Sequence, residues 1–406
     1  MLSVSRIKRE DRLGEGMGKY RGQPSKRPLC NSMRFLMLNA LTDRSGSGVR
    51  FWSIAKEVAR LGHPVLFLER TVGRTGRQAG ENIAYRAIRD SGVLWLDILR
   101  ALITNFINAF LFRPHFVFAL KPMPNTCIPA LLLKLFFKCK IILDIDDLDF
   151  AYYPPGLRRN LIRLFFHFFP RNFDLITTHN QQLRAYIVNQ LGIPSRKIYF
   201  LAQGIEAEQF IRGRADRHFQ RKWGINPEDK VLIYCASLGI TTDFAHILAV
   251  LLHFLQTSED SAILVIGDGA RKRDFVRDVK AHGLHKRIIF TGHIPHTDMP
   301  GVLKLADVGI NYMAPTKANQ CRATIKVREY LAAGLKVVCN PVGDTETFKS
   351  YVTLCSRIQE FPEAIREALD MKNQDKTREA QEFVASNYSW PPLVKDFLSY
   401  LLDAHR

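Results

Sequence analysis

The feature that most restricts the fold is an alternation of short apolar runs with amphipathic, helix-length segments, repeated in two consecutive series. RFLMLNAL follows Met33 and reads as a buried strand; SGSG (Ser45 to Gly48) is a turn. In VRFWSIAKEVARLG, Phe51, Ile54, Ala55, Val58 and Leu61 fall on one helical face. Gly62 stands where a helix C-cap belongs, and HPVLFLER then reads as the next strand. Strand, helix, strand predicts a βαβ unit, hence a parallel sheet with right-handed crossovers. FVFAL (116–120), KIILDID (140–146), LITTH (175–179) and KIYFLAQG (197–204) continue the series. After a polar stretch near 212–229, VLIYCAS, AILVIGDG, RIIFTGH, VGINYMA and LKVVCNP form a second one. The reading is α/β: two Rossmann-like domains with parallel sheets facing across a cleft. The expected bounds are 33–208, 209–388, and a helix over 389–406 that returns to the first domain. In such sheets ligands sit beyond the C-terminal strand ends, and the cleft is the expected site.

At 406 residues and 47% hydrophobic, the chain has enough apolar material for two cores. Its net charge of +19 calls for an acidic counterpart: a phosphorylated substrate, anionic lipid or nucleic acid. No zinc-finger, RRM or KH signature is present, so nucleic acid is not expected as a partner. Seven scattered cysteines, with no Cys-x-x-Cys and no Cys/His cluster, predict reduced thiols in a cytoplasmic protein and no metal site. Residues 1–32 carry eight Lys/Arg against three Asp/Glu, with glycines, prolines and no periodicity. They read as a disordered basic extension without a signal-peptide apolar region.

Several segments together resemble the retaining glycosyltransferases of the GT-B fold, in the glycogen-synthase-like group of bacterial polysaccharide enzymes, family 4 type. FDLITTHNQQLRAYIVNQLGIPSRKIYFLAQGIEAEQF matches a family pattern ending in Gly204, Glu206 and Phe210. VIGDG matches the family's strand end at Gly267 to Gly269, and IIFTGHIPHTDMPGVLKLADV matches a further motif. CRATIKVREYLAAGLKVVCNPVGD matches the motif that holds the donor nucleotide. The resemblance covers most of 33–405. It implies transfer of a sugar from a nucleotide-diphosphate donor, as a substrate with no separate cofactor, to a glycan or lipid-linked acceptor in surface polysaccharide synthesis. Charge grows on the departing diphosphate, and Arg, Lys and glycine-turn N–H groups are the natural stabilisers. The resemblance gives Glu329 the ribose hydroxyls, and gives Arg322 and Lys326 the phosphates or sugar; Arg271, with Lys272, is the candidate substitute for bases the family carries elsewhere, or equally a solvated charge at a helix start. Arg322 and Lys326 are four residues apart, on one face if the helix has begun. Gly46, Gly48, Gly267 and Gly269 complete the expected donor set. Asp144 and Asp146, at the end of IILDIDDLD, are expected to orient the acceptor hydroxyl; strand-end capping and pairing with Arg158 or Arg159 is the plainer alternative. His179 ends LITTH as a structural histidine or a cleft residue.

Two departures stand out. The family's first glutamate, eight positions before Glu329, is Cys321 here, and ASLGITTDFAHIL lacks the family's Arg and Lys. They leave open a non-catalytic membrane-associated binding protein or a nucleotide-sugar epimerase. WLDILRALITNFINAFLF (95–112) is apolar nearly all round, which usually marks a buried helix. GLRRNLIRLFFHFF (156–169) pairs arginines with Leu and Phe, and no acid occurs from Ala151 to Phe173. It reads as a helix lying on an anionic membrane surface, making the protein peripheral at the inner face; an ordinary helix packed on the sheet is the plainer alternative.

Overall fold

The computed structural model describes residues 32–42, 45–71, 76–239, 242–371 and 374–403; the extension read as disordered lies outside the described residues. The first sheet contains β1 (Phe35–Thr42), β2 (Val65–Thr71), β3 (Ile83–Arg89), β4 (Phe116–Leu120), β5 (Lys140–Asp144), β6 (Leu175–Thr178) and β7 (Ile198–Phe200). Their order is β3-β2-β1-β4-β5-β6-β7, all parallel. The second contains β8 (Lys230–Cys235), β9 (Ser261–Ile266), β10 (Ile288–Gly292), β11 (Val308–Asn311), β12 (Lys336–Cys339) and β13 (Thr353–Leu354). Its order is β10-β9-β8-β11-β12-β13, again parallel. Both sheets reverse direction of growth once, at β1/β4 and β8/β11, the crevices where such sheets bind ligands.

Central strands read from the sequence because both faces are covered. β1, β4 and β9 are buried almost residue by residue. The edge strands escaped that reading. In β3 only Ile83 is buried, Tyr85 and Ile88 are half-buried and the rest is exposed, so no apolar run marks it. β13 is two residues long, and β7 is shorter than the run 197–204.

The chain crosses between sheets twice, and the two crossings lie side by side. Ile205 N donates to Tyr388 O at 2.8 Å. Gly204 lies against Trp390, whose ring would be 2.5 Å from a Cβ at that position. The helix Trp390–Asp403 then buries Val394, Phe397, Leu398 and Leu401 among Phe35, Phe51 and Phe118 of the first domain. The helix Leu94–Phe112, expected to be buried, lies on the surface instead: Asn105 and Ala109 face inward while Trp95, Ile103 and Leu111 face out.

Two buried ion clusters fix the strand ends of the first sheet. Arg50, on the helix after β1, reaches Asp144 at 3.3 Å and donates to the carbonyls of Leu201 and Ala202, both at 3.1 Å. Thr177 Oγ1 donates to Asp144 Oδ1 at 2.6 Å. Lys121, buried just beyond β4, places Nζ 2.7 Å from Asp146 Oδ1, 2.7 Å from Asp149 Oδ1 and 3.6 Å from Asp147 Oδ2. Burial pushes the Asp149 carboxyl up to about 7, despite Lys121. Burial acts the same way on Asp146, yet the charge and hydrogen bond of Lys121 hold its carboxyl well below the usual range.

Lys121→Met leaves three carboxylates without their cation and should cost about 3–5 kcal/mol in urea titrations. Without the cation the folded carboxyl pKa values rise, and raised carboxyl groups lose stability as pH rises through them. The deficit should therefore be larger at about pH 8 than at about pH 5. Trp390→Ala empties the wedge beside Gly204 and should cost about 3–5 kcal/mol by the same measurement.

Candidate donor cleft

The helix Ile325–Ala333 carries the central residues, and its first turn is locked from outside. Asp344 Oδ1 accepts from Thr324 N and Thr324 Oγ1, both at 2.8 Å. The buried Arg328 pairs with Asp344, donates to Thr324 O at 2.9 Å, and lies over Tyr388 (4.5 Å) and Phe348 (4.9 Å). Tyr330 OH accepts from Cys235 N at 3.0 Å, and the Tyr330 ring covers Gly309, which has no room for a Cβ. The helix is thereby pinned to the ends of β8 and β11, with Gly334 (φ +85°) ending it.

A cleft of about 800 Å3 opens there, between the two domains. Its second-domain wall includes Ser237, Thr242 and Asp243 after β8, Tyr312 and Met313 after β11, and Asn319, Arg322 and Lys326. Tyr152, Arg159, Arg163 and Tyr186 face them from the first domain.

Arg322 and Lys326 both line this cleft, though not from one helical face: the helix begins at Ile325, and Arg322 belongs to the preceding loop. Arg322 lies 6.0 Å from the centre of the Tyr152 ring, and its Nη1 donates to Asn319 Oδ1 at 3.4 Å. Burial opposes its charge, but Tyr152, Asp147 and Asp243 outweigh burial. Glu329 sits a turn below Lys326, fully buried. His296 Nε2 donates to its Oε1 at 2.9 Å, and Lys326 Nζ stands 3.6 Å from its Oε2, which has no hydrogen-bond partner. Burial works to raise this carboxyl, but Lys326 and His296 bring it below its ordinary value, so it is ionised at neutral pH. Phe210 packs edge-on against His296 with ring centres 5.8 Å apart, which ties the motif ending in Phe210 to the donor helix. His296 was not among the residues expected from sequence; only its place in the motif IPHTDMP hinted at it.

Glu329 itself lies behind the cleft wall, and the other expected residues do not line the cleft either. Gly267 (φ +142°) and Gly269 (φ +159°) support its wall: a Cβ on Gly267 would lie 1.7 Å from Ala236 O, and one on Gly269 would lie 2.3 Å from Leu238 C. Their bareness lets the loop after β8 bond back, Ala236 N to Ile266 O and Leu238 N to Asp268 O. Arg271 stacks over Phe275 at 4.8 Å. Ser45 caps the helix Gly46–Arg60 by accepting from Gly48 N at 3.0 Å; Gly48 is packed against Asn39 and Thr42, and Gly46 is open. Asp144 and Asp146 point into the first domain, partnered by Arg50 and Lys121 rather than by Arg158 or Arg159. His179 is interior, and burial lowers it to about 3, so it is neutral.

Cys321 is buried in the core cluster of the first domain, although it belongs to the second. Asn180 Nδ2 bridges to Gln320 O (3.2 Å) and Arg322 O (2.9 Å) beside it. The loop 320–322 thus ties the domains together. The cleft wall has one carboxylate among the described residues, Asp243, which accepts from Asn319 Nδ2 at 3.1 Å and whose carboxyl is raised by burial.

Two family models match the chain: "Glycosyl transferase 4-like domain" over residues 45–204 and "Glycosyl transferases group 1" over residues 229–371. The chain is 21% identical over 199 residues to the 2-deoxystreptamine glucosyltransferase of Streptomyces kanamyceticus, covering 48% of this chain and 51% of that protein. Its matches span about half the length of the curated relatives, 51% and 59%. Among solved structures, sucrose-phosphate synthase from Thermosynechococcus elongatus superposes with a TM-score of 0.72 at 13% identity, over 92% of this chain and 100% of that one. Anabaena HepE in complex with UDP and glucose gives 0.69 at 14% identity, over 91% and 100%. These likenesses establish the fold, and the paired family models lie on the two sheets that wall the cleft. The chain belongs to the group 1 glycosyltransferases of the GT-B fold.

Proposed function

We propose that this protein transfers a sugar from a nucleoside-diphosphate sugar to a glycan or lipid-linked acceptor, with retention of anomeric configuration, in surface polysaccharide synthesis. The reaction is assigned to the cytoplasmic face of a membrane, with the protein bound peripherally. The observation that carries the donor assignment is the Oε2 of the buried, ionised Glu329, which has the Lys326 ammonium at 3.6 Å but no hydrogen-bond donor, set behind two cleft cations. A buried carboxylate oxygen without a donor is costly, and a ribose hydroxyl would satisfy it. Arg322 and Lys326 supply positive charge where the diphosphate leaves, and fixed charges in a partly dry cleft lower the barrier without reorganising. Structural neighbours crystallised with UDP or UDP-glucose make uracil the first base to test. Asp144 and Asp146 enter this reading as positioning residues that hold Arg50 and Lys121 at the strand ends. With Cys321 turned into the first domain, the donor sugar meets Asp243 and Asn319 instead of the family's first glutamate.

UDP at about 100 times its Kd should add about 2.7 kcal/mol of stability, visible in Tm. Glu329→Ala should abolish that shift while UDP still leaves other proteins' controls unchanged; a shift that persists in Glu329→Ala overturns the ribose role. Arg322→Ala and Lys326→Ala should each lower kcat about 10²–10³-fold in a sugar-transfer assay, with smaller effects on KM. UDP binding without transfer to any glycan or lipid-linked acceptor would instead assign a binding protein.

A further inference from the structure

Three helices of the first domain share an outer apolar face. Along Leu94–Phe112, Trp95, Leu99, Ile103, Ile107 and Leu111 recur at every fourth residue and are 47–75% exposed. The segment Trp95–Phe112 is long and apolar enough to cross a membrane by length and composition, yet only 22% of it is buried. Its inner side, Ala101, Asn105 and Ala109, packs onto the domain and holds it flat. Phe110 meets Phe136 (5.9 Å) and Phe137 (5.0 Å) of the neighbouring helix Pro124–Phe137, which exposes Leu135 and Phe136. Between that helix and Leu157–Phe168 runs a groove of about 440 Å3 lined by apolar side chains alone, among them Leu131, Leu135, Leu164 and Phe168. The helix Leu157–Phe168 adds Leu157, Leu161, Leu164 and Phe168, 43–77% exposed. Single exposed leucines are ordinary, but a face continuous over three helices marks an interaction site.

The rim of this face is basic. Arg100, Lys138, Arg158, Arg163 and Arg171 are exposed there, and Arg100 and Arg163 have no carboxylate partner among the described residues. Asp97, the acid on the first of these helices, is turned inward and accepts from Ser91. The helix Leu157–Phe168 also has two working sides: Arg159 and Arg163 line the cleft, while Leu164 and Phe168 line the groove.

We propose that the face formed by Leu94–Phe112, Pro124–Phe137 and Leu157–Phe168 docks on the surface of an anionic bilayer, its apolar stripes at the headgroup–acyl boundary and its arginines at the phosphates. Charge complementarity selects this occupant over a second copy of the chain, whose identical basic rim would face itself across a two-fold axis. Because one helix walls both groove and cleft, docking sets the cleft mouth among the headgroups, where a lipid-borne acceptor presents its sugar. The docking itself is independent of the donor reading, since it needs no nucleotide.

Co-sedimentation of the full chain with vesicles of phosphatidylcholine and phosphatidylglycerol in equal parts, against phosphatidylcholine alone, tests it. Wild type should partition onto the anionic vesicles. Leu99→Ser/Ile103→Ser/Ile107→Ser, at exposed positions, should keep its Tm and weaken partitioning at least about tenfold. Arg158→Gln, outside the cleft wall, should weaken it about fivefold on the anionic vesicles only. Failure of wild type to bind the anionic vesicles, or unchanged binding by the triple variant, overturns the proposal. So does a concentration-dependent dimer of wild type that the triple variant disperses, which would assign the face to a second copy. UDP shifts measured on the same samples separate failure of docking from failure of the donor site.

Discussion

The two passages of the chain between sheets run side by side, and much of the structure follows from that constraint. Where Ile205 bonds to Tyr388, Gly204 gives its space to Trp390, and the last helix is delivered back onto the first sheet. Tyr388, one residue from the returning crossing, also stacks on Arg328, the buried cation that holds Asp344 and so the first turn of the donor helix. Phe210, a few residues past the outgoing crossing, braces His296 against Glu329. The paired crossings and the donor carboxylate are thus joined through packed aromatic rings and ion pairs.

Charge placement separates the cleft from the interior. Burying a charge is expensive unless it is paired. Arg50, Lys121 and Arg328 are each buried against carboxylates and belong to the scaffold. Lys121 occupies the middle of the aspartate-rich segment, the place a cation would otherwise take. Arg322 and Lys326 reach the cleft, and Glu329 keeps one oxygen with the Lys326 ammonium at 3.6 Å but without a hydrogen bond. Other buried polar atoms also lack a hydrogen-bond partner, Asp149 Oδ2 and His179 Nδ1 among them, but Glu329 alone of these lies directly behind a cation that lines the cleft.

Much of the fold was legible because a strand covered on both faces must be apolar throughout. β1, β4, β5, β8 and β9 announce themselves in this way. β3 and β13 do not, since an edge strand can be polar or very short. Of the expected donor residues, Arg322, Lys326 and Glu329 were found together because one short segment carries them. His296 and Asp243 come from distant loops, and their placement depends on which strands neighbour β8.

The sequence by itself determined the alternating βα architecture, the two series and the motif holding Glu329, since periodicity and local spacing are properties of neighbouring residues. Only the tertiary structure decided which charges are spent in the interior. IILDIDDLD reads the same whether Asp144 and Asp146 face a cleft or pair with Arg50 and Lys121, whose positions lie 94 and 25 residues away in the chain. The same holds for Leu94–Phe112: its composition suits a buried helix, and only its position at the outer layer leaves the stripe from Trp95 to Leu111 uncovered. Desolvation and pairing depend on what the fold brings near, and linear spacing does not encode that proximity.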